Sequence, residues 1–402
     1  MLRIITVCYI VLIPGACFAQ NIKGKVFDGI SVAPIEYANI YFANTTIGAT
    51  SNADGQFVLK VPELGRYTLM ASFIGYKTFS VEIEILTKET FEVNIPLIPD
   101  VRQLPEIFVN ADTSDWEENY RIFFDHFIGT TKASKSCAIK NKKALNFYFD
   151  PYDRTLYGHA REPLIIFNDY LGYKITYELI SFKLEYKQSK LEYFGIPRFE
   201  LMIPKSRNEE NKWSKRRGEV YRGSIYHFFK SLYHDQLSGN EFKVQEFFRV
   251  PNQDRLPEEL IRKKLDQFMK DRPKLTTSGN KTIIHTNDSL DYYLQERNKP
   301  KYLDSLGVDI INKNHVAIGD SLFYKGNLKI TYLGAKESSD YPNLRRPPYR
   351  EYQNTVMDIL SSLKLYPNGY YDYSSTFVQG YWGWTGTVGN ILPLDYEPKK
   401  QL

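Results

Sequence analysis

Short runs of alternating apolar and polar residues fill the chain from residue 22 to residue 98, and turn-forming residues separate them. This pattern constrains the fold more than any other feature. It predicts seven strands, at 22–28, 35–43, 46–51, 56–61, 66–73, 76–85 and 90–98. The alternation places one apolar set inward, namely Val26, Ala38, Ile40, Phe42, Phe57, Leu59 and Val61. It places Lys23, Lys25 and Lys60 outward, so two sheets packed face to face are expected.

Asn52-Ala53-Asp54-Gly55 is the clearest turn in this region. We expect Asp54 to bond the backbone two residues further on and Gly55 to take a positive φ, which predicts a hairpin. Calcium binding at Asp54 would need more carboxylates than this turn supplies.

Four motifs in this region carry a family resemblance, and they stand at 24–28 (GKVFD), 34–41 (PIEYANIY), 46–57 (TIGATSNADGQF) and 72–77 (SFIGYK). Together they resemble the carboxypeptidase regulatory-like domain. That resemblance implies a seven-stranded Greek-key sandwich of the transthyretin (prealbumin) type. In Bacteroidetes the same domain precedes the plug of TonB-dependent outer-membrane transporters, and residues 104–109 (LPEIFV) are similar to the strand that follows it there. Too little chain remains for a plug and a large barrel, so a transporter is not expected.

The first nineteen residues have the pattern of a signal peptide. Arg3 precedes the apolar run 4–13, and Cys17-Phe18-Ala19 forms a small-x-small cleavage site before Gln20. We therefore expect export to the periplasm or the outer membrane. A lipoprotein processed at Cys17 is the alternative, although Pro14 stands where a leucine would be expected.

The sequence predicts four segments: a signal peptide (1–19), the sandwich (20–99), a linker or strand (100–113) and an α+β domain with an antiparallel sheet (114–402). The protein as a whole is expected to be mainly β. The last segment should open with a helix. Ser114 would cap this helix at its start, Glu117 would complete the capping box, and Gly129 would end the helix. Its apolar stripe would consist of Trp116, Tyr120, Phe123 and Phe127.

Further elements of the second region follow from periodicity. Strands are predicted at 144–149, 154–160, 175–187, 191–203, 321–333 and 354–366, and helices at 224–234, 257–271 and 288–297. Within the strand predicted at 175–187, the apolar residues change from odd-numbered to even-numbered positions. This change predicts a β-bulge near Leu179–Ile180. The basic run 212–222 is interpreted as a solvated loop that enters a strand.

Residues 164–168 (LIIFN), 221–229 (YRGSIYHFF), 380–384 (GYWGW) and 392–396 (LPLDY) resemble the second half of uncharacterised Bacteroidetes envelope proteins. The resemblance implies membership of a family without an established activity.

The net charge of +5 over 402 residues is near neutral, so neither nucleic acid nor anionic lipid is implied as a partner. After removal of the leader, Cys137 is the remaining cysteine, so no intramolecular disulfide can form. Its apolar neighbours favour burial over a reactive thiol.

No catalytic, cofactor-binding or metal-binding residues are predicted. His159 and Glu162 have the H-x-x-E spacing of zinc carboxypeptidases, but residues three apart on a strand point to opposite faces. His227 and His234 lack a third ligand and fit an amphipathic helix better. Glycosidase chemistry stays open, because its two carboxylates have no fixed sequence spacing.

Six aromatic residues cluster near the C-terminus, namely Tyr370, Tyr371, Tyr373, Tyr381, Trp382 and Trp384. Tyr370, Tyr381, Trp382 and Trp384 are the candidates for a recognition surface, since such rings offer flat faces with a polar handle. Strand alternation would place Tyr381 opposite the two tryptophans. The alternative interpretation is that these rings close the core of the second domain.

These features favour a non-catalytic binding or assembly protein of the cell envelope, with an envelope protein or a glycan as partner. The mature chain should have no transmembrane span and no cofactor. The alternatives are a periplasmic hydrolase that acts on peptide or glycan, and an accessory component of an outer-membrane transporter.

Overall fold

The computed structural model describes residues 21–61, 63–87, 89–100, 115–270, 276–278, 281–283, 288–310, 317–318, 321–322, 324, 326–342 and 351–399. Three hydrophobic cores form within these residues. Each core is built on β-sheet, and the protein is mainly β with several antiparallel sheets.

The first core lies inside a sandwich of two four-stranded sheets. Its strands are β1 (Asn21–Asp28), β2 (Asn39–Phe42), β3 (Gly48–Thr50), β4 (Gln56–Lys60), β5 (Gly65–Ser72), β6 (Phe79–Ile85), β7 (Phe91–Glu92) and β8 (Ile95–Leu97). One sheet has the order β4-β1-β7, with β8 also paired to β1, and the other has the order β3-β2-β5-β6. The seven predicted strands are confirmed, except that the last divides into β7 and β8. All seven residues predicted to face inward are buried, and the three lysines are exposed.

The turn at 52–55 has the predicted backbone but different chemistry. Gly55 has a φ of 73°, as expected. The side chain of Asn52, and not that of Asp54, accepts hydrogen bonds from the backbone N–H groups of Asp54 and Gln56. The prediction of a hairpin is wrong, because β3 pairs with β2 whereas β4 pairs with β1, so the turn connects the two sheets.

The second core lies between a six-stranded sheet and helix α1 (Trp116–Phe127). The strands are β9 (Cys137–Ile139), β10 (Leu145–Asp150), β11 (Thr155–Ala160), β12 (Leu164–Asn168), β13 (Tyr173–Glu185) and β14 (Lys190–Leu201). Phe123 and Phe127 of α1 are fully buried against this sheet, and the helix ends before Gly129, as predicted. The predicted cap, Ser114, lies outside the described residues. The pairing of β13 with β14 shifts between Leu179 and Ser181, which confirms the predicted bulge.

The basic run 212–222 is not a loop but part of helix α2 (Arg207–Tyr221), so that prediction is wrong. Ser206 caps the helix by accepting a hydrogen bond from the N–H of Glu209. Arg217 donates to the carbonyl oxygens of Leu171 and Gly172, and its guanidinium lies 4.2 Å from the ring centre of Tyr173. The basic side chains therefore fasten α2 to the turn between β12 and β13.

The third core lies between helix α3 (Ile225–Tyr233) and a five-stranded sheet. The strands of this sheet are β15 (Phe242–Pro251), β18 (Tyr302–Asp309), β21 (Gly326–Lys336), β22 (Tyr352–Ile359) and β24 (Thr376–Gly380), and their order is β18-β15-β21-β22-β24. The remaining elements are α4 (Glu258–Lys270), β16 (Thr276–Ser278), β17 (Lys281–Ile283), α5 (Asp288–Asn298), β19 (Ala317–Ile318), β20 (Ser321–Leu322), β23 (Leu363–Lys364) and α6 (Tyr381–Thr385). The three predicted helices match α3, α4 and α5. Over the part of the chain described, no helix has the length and apolarity to cross a membrane.

The sandwich has two distinct ends. The register of β2 with β5 places Asn39 opposite Ser72 and Phe42 opposite Leu69. The loop 73–77 and the turn 43–47 therefore lie at opposite ends of this sheet. We call the end formed by 43–47 and 63–65 the interface pole, and the end formed by the loops 29–33, 73–77 and 98–100 the free pole.

The interface pole is joined to the rest of the protein by backbone and side-chain hydrogen bonds. Asn44 donates its N–H to the carbonyl oxygen of Pro197, and Phe199 donates to that of Thr45. The carboxylate of Asp395 accepts hydrogen bonds from the N–H and the hydroxyl of Thr46, at 2.9 and 2.5 Å. Leu394 is buried within the core of the sandwich. The C-terminal segment thus completes the core of the first domain.

Gly65 lies at the interface pole with a φ of 151°, and a β-carbon at this position would lie 2.2 Å from Cγ of Asn368. Gly75 at the free pole also has a positive φ, 85°, but no atom lies within 4 Å of its β-carbon position. We expect Gly65→Ala to lower the free energy of unfolding by about 3 kcal/mol, because it combines backbone strain with a steric clash. Gly75→Ala should cost only about 1 kcal/mol, from strain alone. Urea unfolding of both variants measures the difference, and equal losses would contradict the tight contact at Asn368.

Asp28 organises the free pole. Its carboxylate accepts hydrogen bonds from the N–H groups of Ile30 and Ser31 and from the hydroxyl of Tyr76. The bond from Ser31, followed by those from Tyr76 and Ile30, lowers the pKa of Asp28 from 3.8 to about 2. The ionised carboxylate therefore holds two loops of the free pole together.

A carboxylate whose pKa is lower in the folded state stabilises the protein above its unfolded-state pKa, and this stabilisation is lost as the pH falls through the folded-state value. We expect the wild type to melt at a higher temperature than Asp28→Asn at about pH 6, and the gap to close between about pH 4 and pH 2. Tyr76→Phe, which removes one of the three bonds, should show a smaller gap over the same range. Thermal unfolding at several pH values tests this, and a gap that is independent of pH would refute the role of the charge.

Candidate functional site

Five tyrosines meet where the three cores adjoin, and we call this group the tyrosine junction. Its members are Tyr193 from β14, Tyr226 from α3, and Tyr370, Tyr371 and Tyr373 from the segment between β23 and β24. Tyr193 packs against the second core, Tyr371 against the third, and Tyr226 and Tyr370 against the sandwich core. The five rings come from β14, α3 and the segment that precedes β24, and together they touch all three cores.

The rings form a connected series. The ring centres of Tyr226 and Tyr371 are 6.0 Å apart, and those of Tyr371 and Tyr373 are 5.6 Å apart. Tyr373 in turn lies 6.3 Å from Phe194, and both of these residues are exposed. Tyr226 and Tyr371 are only half-buried. The series therefore extends from half-buried rings to an aromatic rim at the surface, formed by Phe194 and Tyr373.

Burial raises the pKa of Tyr193, Tyr226 and Tyr371 above the ordinary tyrosine value. The neighbouring tyrosines, with Tyr373 among them, raise it further, because a second phenolate nearby would be repelled. These hydroxyls stay protonated at physiological pH. The junction therefore offers neutral hydrogen-bonding groups and flat ring faces, which suit binding to sugars or to apolar parts of a partner.

A small hollow adjoins the junction, and its lining consists of Tyr221, Tyr226, Lys230, Asn368, Leu392, Pro393, Leu394 and Tyr396. The ammonium group of Lys230 pairs at 2.8 Å with both Glu63 and Glu397. Burial opposes the charge of Lys230, but these two hydrogen bonds outweigh it and raise its pKa. The lysine is thus committed to an ion-pair network that ties the sandwich to α3 and to the C-terminal segment.

The structure divides the predicted C-terminal aromatic cluster into two groups. Tyr370, Tyr371 and Tyr373 belong to the tyrosine junction. Tyr381, Trp382 and Trp384 lie on α6, so the prediction of strand alternation there is wrong. Trp382 is buried in the third core and donates its indole N–H to the carbonyl oxygen of Gly223 at 2.6 Å.

Tyr381 and Trp384 form a separate aromatic group with Tyr341, with ring centres 5.3 to 5.5 Å apart. Trp384 donates its indole N–H to the hydroxyl of Thr130. The proposed recognition surface of Tyr370, Tyr381, Trp382 and Trp384 is therefore not one contiguous patch. Of these four, Tyr370 is the residue at the junction.

Sequence reasoning missed Tyr193 and Tyr226. In the sequence, Tyr226 stood only within the 221–229 motif. Tyr193 was one of many aromatic residues in a predicted strand. No local signal connects them with Tyr370–Tyr373, because the chain separates them by more than a hundred residues.

The histidines weighed as metal ligands lie apart. His159 stands on β11, and Glu162, beyond the end of that strand, accepts a hydrogen bond from Asn141. His227 packs against Tyr221 and Phe242, and burial lowers its pKa to about 4. Within the described ranges, no three His, Cys, Asp or Glu side chains come together as a metal-binding group.

Cys137, for which the sequence favoured burial over a reactive thiol, is half-buried. Burial, with a smaller contribution from Asp169, raises the pKa of its thiol to about 12. The residue is therefore a protonated thiol at physiological pH, and not a reactive thiolate.

Several solved structures are similar to parts of this chain. A type II cohesin–X-dockerin complex from Acetivibrio cellulolyticus is 20% identical over 20% of this chain and 56% of its own, with a TM-score of 0.17. The group B streptococcus pilus 2b backbone protein is 16% identical over 21% of this chain and 42% of its own, with a TM-score of 0.19. A DUF3823 family protein from Parabacteroides merdae is 12% identical over 45% of this chain and 80% of its own, with a TM-score of 0.16.

The chain spans little more than half the length of the cohesin–X-dockerin chain that it matches. TM-scores this low say nothing about function. No curated protein matches the chain.

A family model does match the sandwich. The model of the CarboxypepD_reg-like domain covers residues 22–109, the region in which the four sequence motifs stand and in which the eight strands of the sandwich form. The chain therefore carries a CarboxypepD_reg-like domain at residues 22–109.

Proposed function

We propose that this protein is a non-catalytic binding or assembly component of the bacterial cell envelope, and that it holds an envelope protein or a glycan at the tyrosine junction. The observation that carries the proposal is the continuous series of rings from the half-buried Tyr226 and Tyr371 to the exposed Tyr373 and Phe194. Aromatic residues with neutral polar groups are typical of recognition sites.

The ionisable groups near the junction support binding over catalysis. General acid–base catalysis works best with a group whose pKa lies near the operating pH. Burial raises the pKa values of the junction tyrosines, and it lowers that of His227 to about 4. These groups are therefore held in their neutral forms at neutral pH, where they can donate and accept hydrogen bonds.

The location in the envelope rests on the signal-peptide pattern of residues 1–19, which lie outside the described residues. The sequence resemblances support the same location. Both the CarboxypepD_reg-like domain and the second region resemble parts of Bacteroidetes envelope proteins. In the proposed role the sandwich is not a loosely tethered module. Its interface pole shares a core residue, Leu394, with the C-terminal segment, so partner and sandwich would be held in a fixed relative position.

We expect mild cross-linking in native envelopes, followed by affinity purification and mass spectrometry, to recover a stoichiometric partner or glycan linked near the junction. The variant Phe194→Ser with Tyr373→Ser should reduce recovery about tenfold or more, because an aromatic anchor at an interface contributes 2 kcal/mol or more in favourable cases, roughly a factor of 30. Both side chains are exposed, so the fold should persist.

Tyr152→Ser is the matched control, since Tyr152 is an exposed tyrosine on a turn outside the junction. It should leave recovery unchanged. Recovery that is equal for all three proteins, or no specific partner for the wild type, would refute the proposal and favour the hydrolase alternative.

A further inference from the structure

The free pole of the sandwich presents aliphatic side chains on separate loop tips. Ile30, Val32, Ile74 and Ile98 are 75, 71, 94 and 47% exposed. Three different loops carry them, and hydrogen bonds join these loops: Gly29 donates to the carbonyl oxygen of Leu97, and Lys77 donates to that of Ile98. Four exposed aliphatic residues at one end of a small domain form an apolar tip.

One of these residues is held in a costly conformation. Val32 has a φ of 62°, a region that β-branched residues rarely occupy. Its N–H donates to the carbonyl oxygen of Asp28 at 2.8 Å, which fixes the loop in this shape. The fold therefore maintains an exposed valine at the tip against its backbone preference.

The backbone N–H groups of the loop 29–33 all find hydrogen-bond acceptors within the sandwich. The N–H groups of Ile30 and Ser31 bond to the side chain of Asp28, and that of Ala33 bonds to the hydroxyl of Ser31. With the bonds of Gly29 and Val32, every N–H from residue 29 to residue 33 has an acceptor within the domain. A loop that enters an apolar phase must meet this condition, because lipid offers no hydrogen-bonding partners. A loop that binds a protein through its backbone would instead leave donors free.

We propose that the protein binds the surface of a lipid bilayer by inserting the aliphatic tips of the free pole into the boundary between headgroups and acyl chains. This inference goes beyond the proposed function, since it concerns a different surface at the opposite end of the sandwich from the interface pole. The exposed Tyr37, which precedes β2 at the same end, would lie at the headgroup level, where tyrosine is favoured.

The size and charge of the free pole favour a bilayer as its partner. A stable protein interface buries about 800 Å² on each partner, which is more than four loop-tip side chains supply. The exposed charges nearby are mixed, with Lys25 and Lys77 against Glu36 and Asp54. Binding should therefore depend on apolar burial and not on anionic lipid, so salt should weaken it little.

The test is flotation with vesicles of phosphatidylethanolamine containing a minority of phosphatidylglycerol. The chain beginning at Gln20, the processed form that the sequence predicts, keeps the apolar leader out of the measurement. We expect the wild type to float with the vesicles at both low and high salt. Ile30→Asp combined with Ile74→Asp should lower the partition coefficient at least about tenfold, because two inserted side chains become charged.

Leu86→Asp is the matched control, since Leu86 is 64% exposed and follows β6 at the end of the sandwich away from the free pole. It should float like the wild type, and thermal unfolding should show all three proteins folded.

A wild type that stays unbound, or an equal loss of vesicle binding in Leu86→Asp, would overturn the proposal. Self-association that the free-pole variant abolishes, without vesicle binding, would also overturn it and assign the surface to a second copy of the chain. These outcomes are independent of the junction variants, so the two proposals can fail separately.

Discussion

The burial of Leu394 in the sandwich core, together with the hydrogen bonds from Thr46 to the adjacent Asp395, is the interaction on which the rest of the arrangement depends. A C-terminal residue that completes an N-terminal core joins the two ends of the chain. Removing that contact would leave both an apolar cavity and an unpaired carboxylate, each of which is costly. The first domain is therefore held in place by packing and by polar contacts at the same pole.

The tyrosine junction lies beside this docking contact. Tyr226 and Tyr370 pack against the sandwich core, Tyr371 against the third core and Tyr193 against the second. The aromatic series joins the second and third cores, because Phe194 lies on β14 and Tyr373 precedes β24. The ion pairs of Lys230 with Glu63 and Glu397 lie beside them and reinforce the same contact. A site with this origin is sensitive to the relative position of the domains, which suits an assembly role.

The docking also makes the two poles of the sandwich different. Because one pole is occupied by the C-terminal region, the other is left to face outward, with its aliphatic tips and internally bonded loops. The aromatic rim, formed by Phe194 and Tyr373, and the free pole are separate surfaces. The rim presents aromatic rings beside neutral hydroxyls, whereas the free pole presents aliphatic side chains.

The sequence by itself determined what depends on local patterning. The strands of the sandwich, the inward position of residues such as Ile40 and Leu59, the end of α1 before Gly129 and the bulge after Leu179 all follow from alternation, turn residues and parity. Sequence motifs also identified the CarboxypepD_reg-like domain. Two predictions failed for different reasons. The basic run of α2 is helical and begins at a local cap on Ser206, although its charge pattern favoured a loop. Trp382 is buried because it fills the third core, a contact between distant parts of the chain.

Only the tertiary structure decided which pole of the sandwich is occupied, which tyrosines meet and which aliphatic residues stay exposed. These properties depend on contacts between residues far apart in the chain, such as Thr46 with Asp395 and Tyr226 with Tyr371. Periodicity reports which face of an element is apolar, but it does not report which other element covers that face. The candidate site lies at such a long-range contact, and for this reason its residues could be named as aromatic from the sequence but could not be assembled into a site.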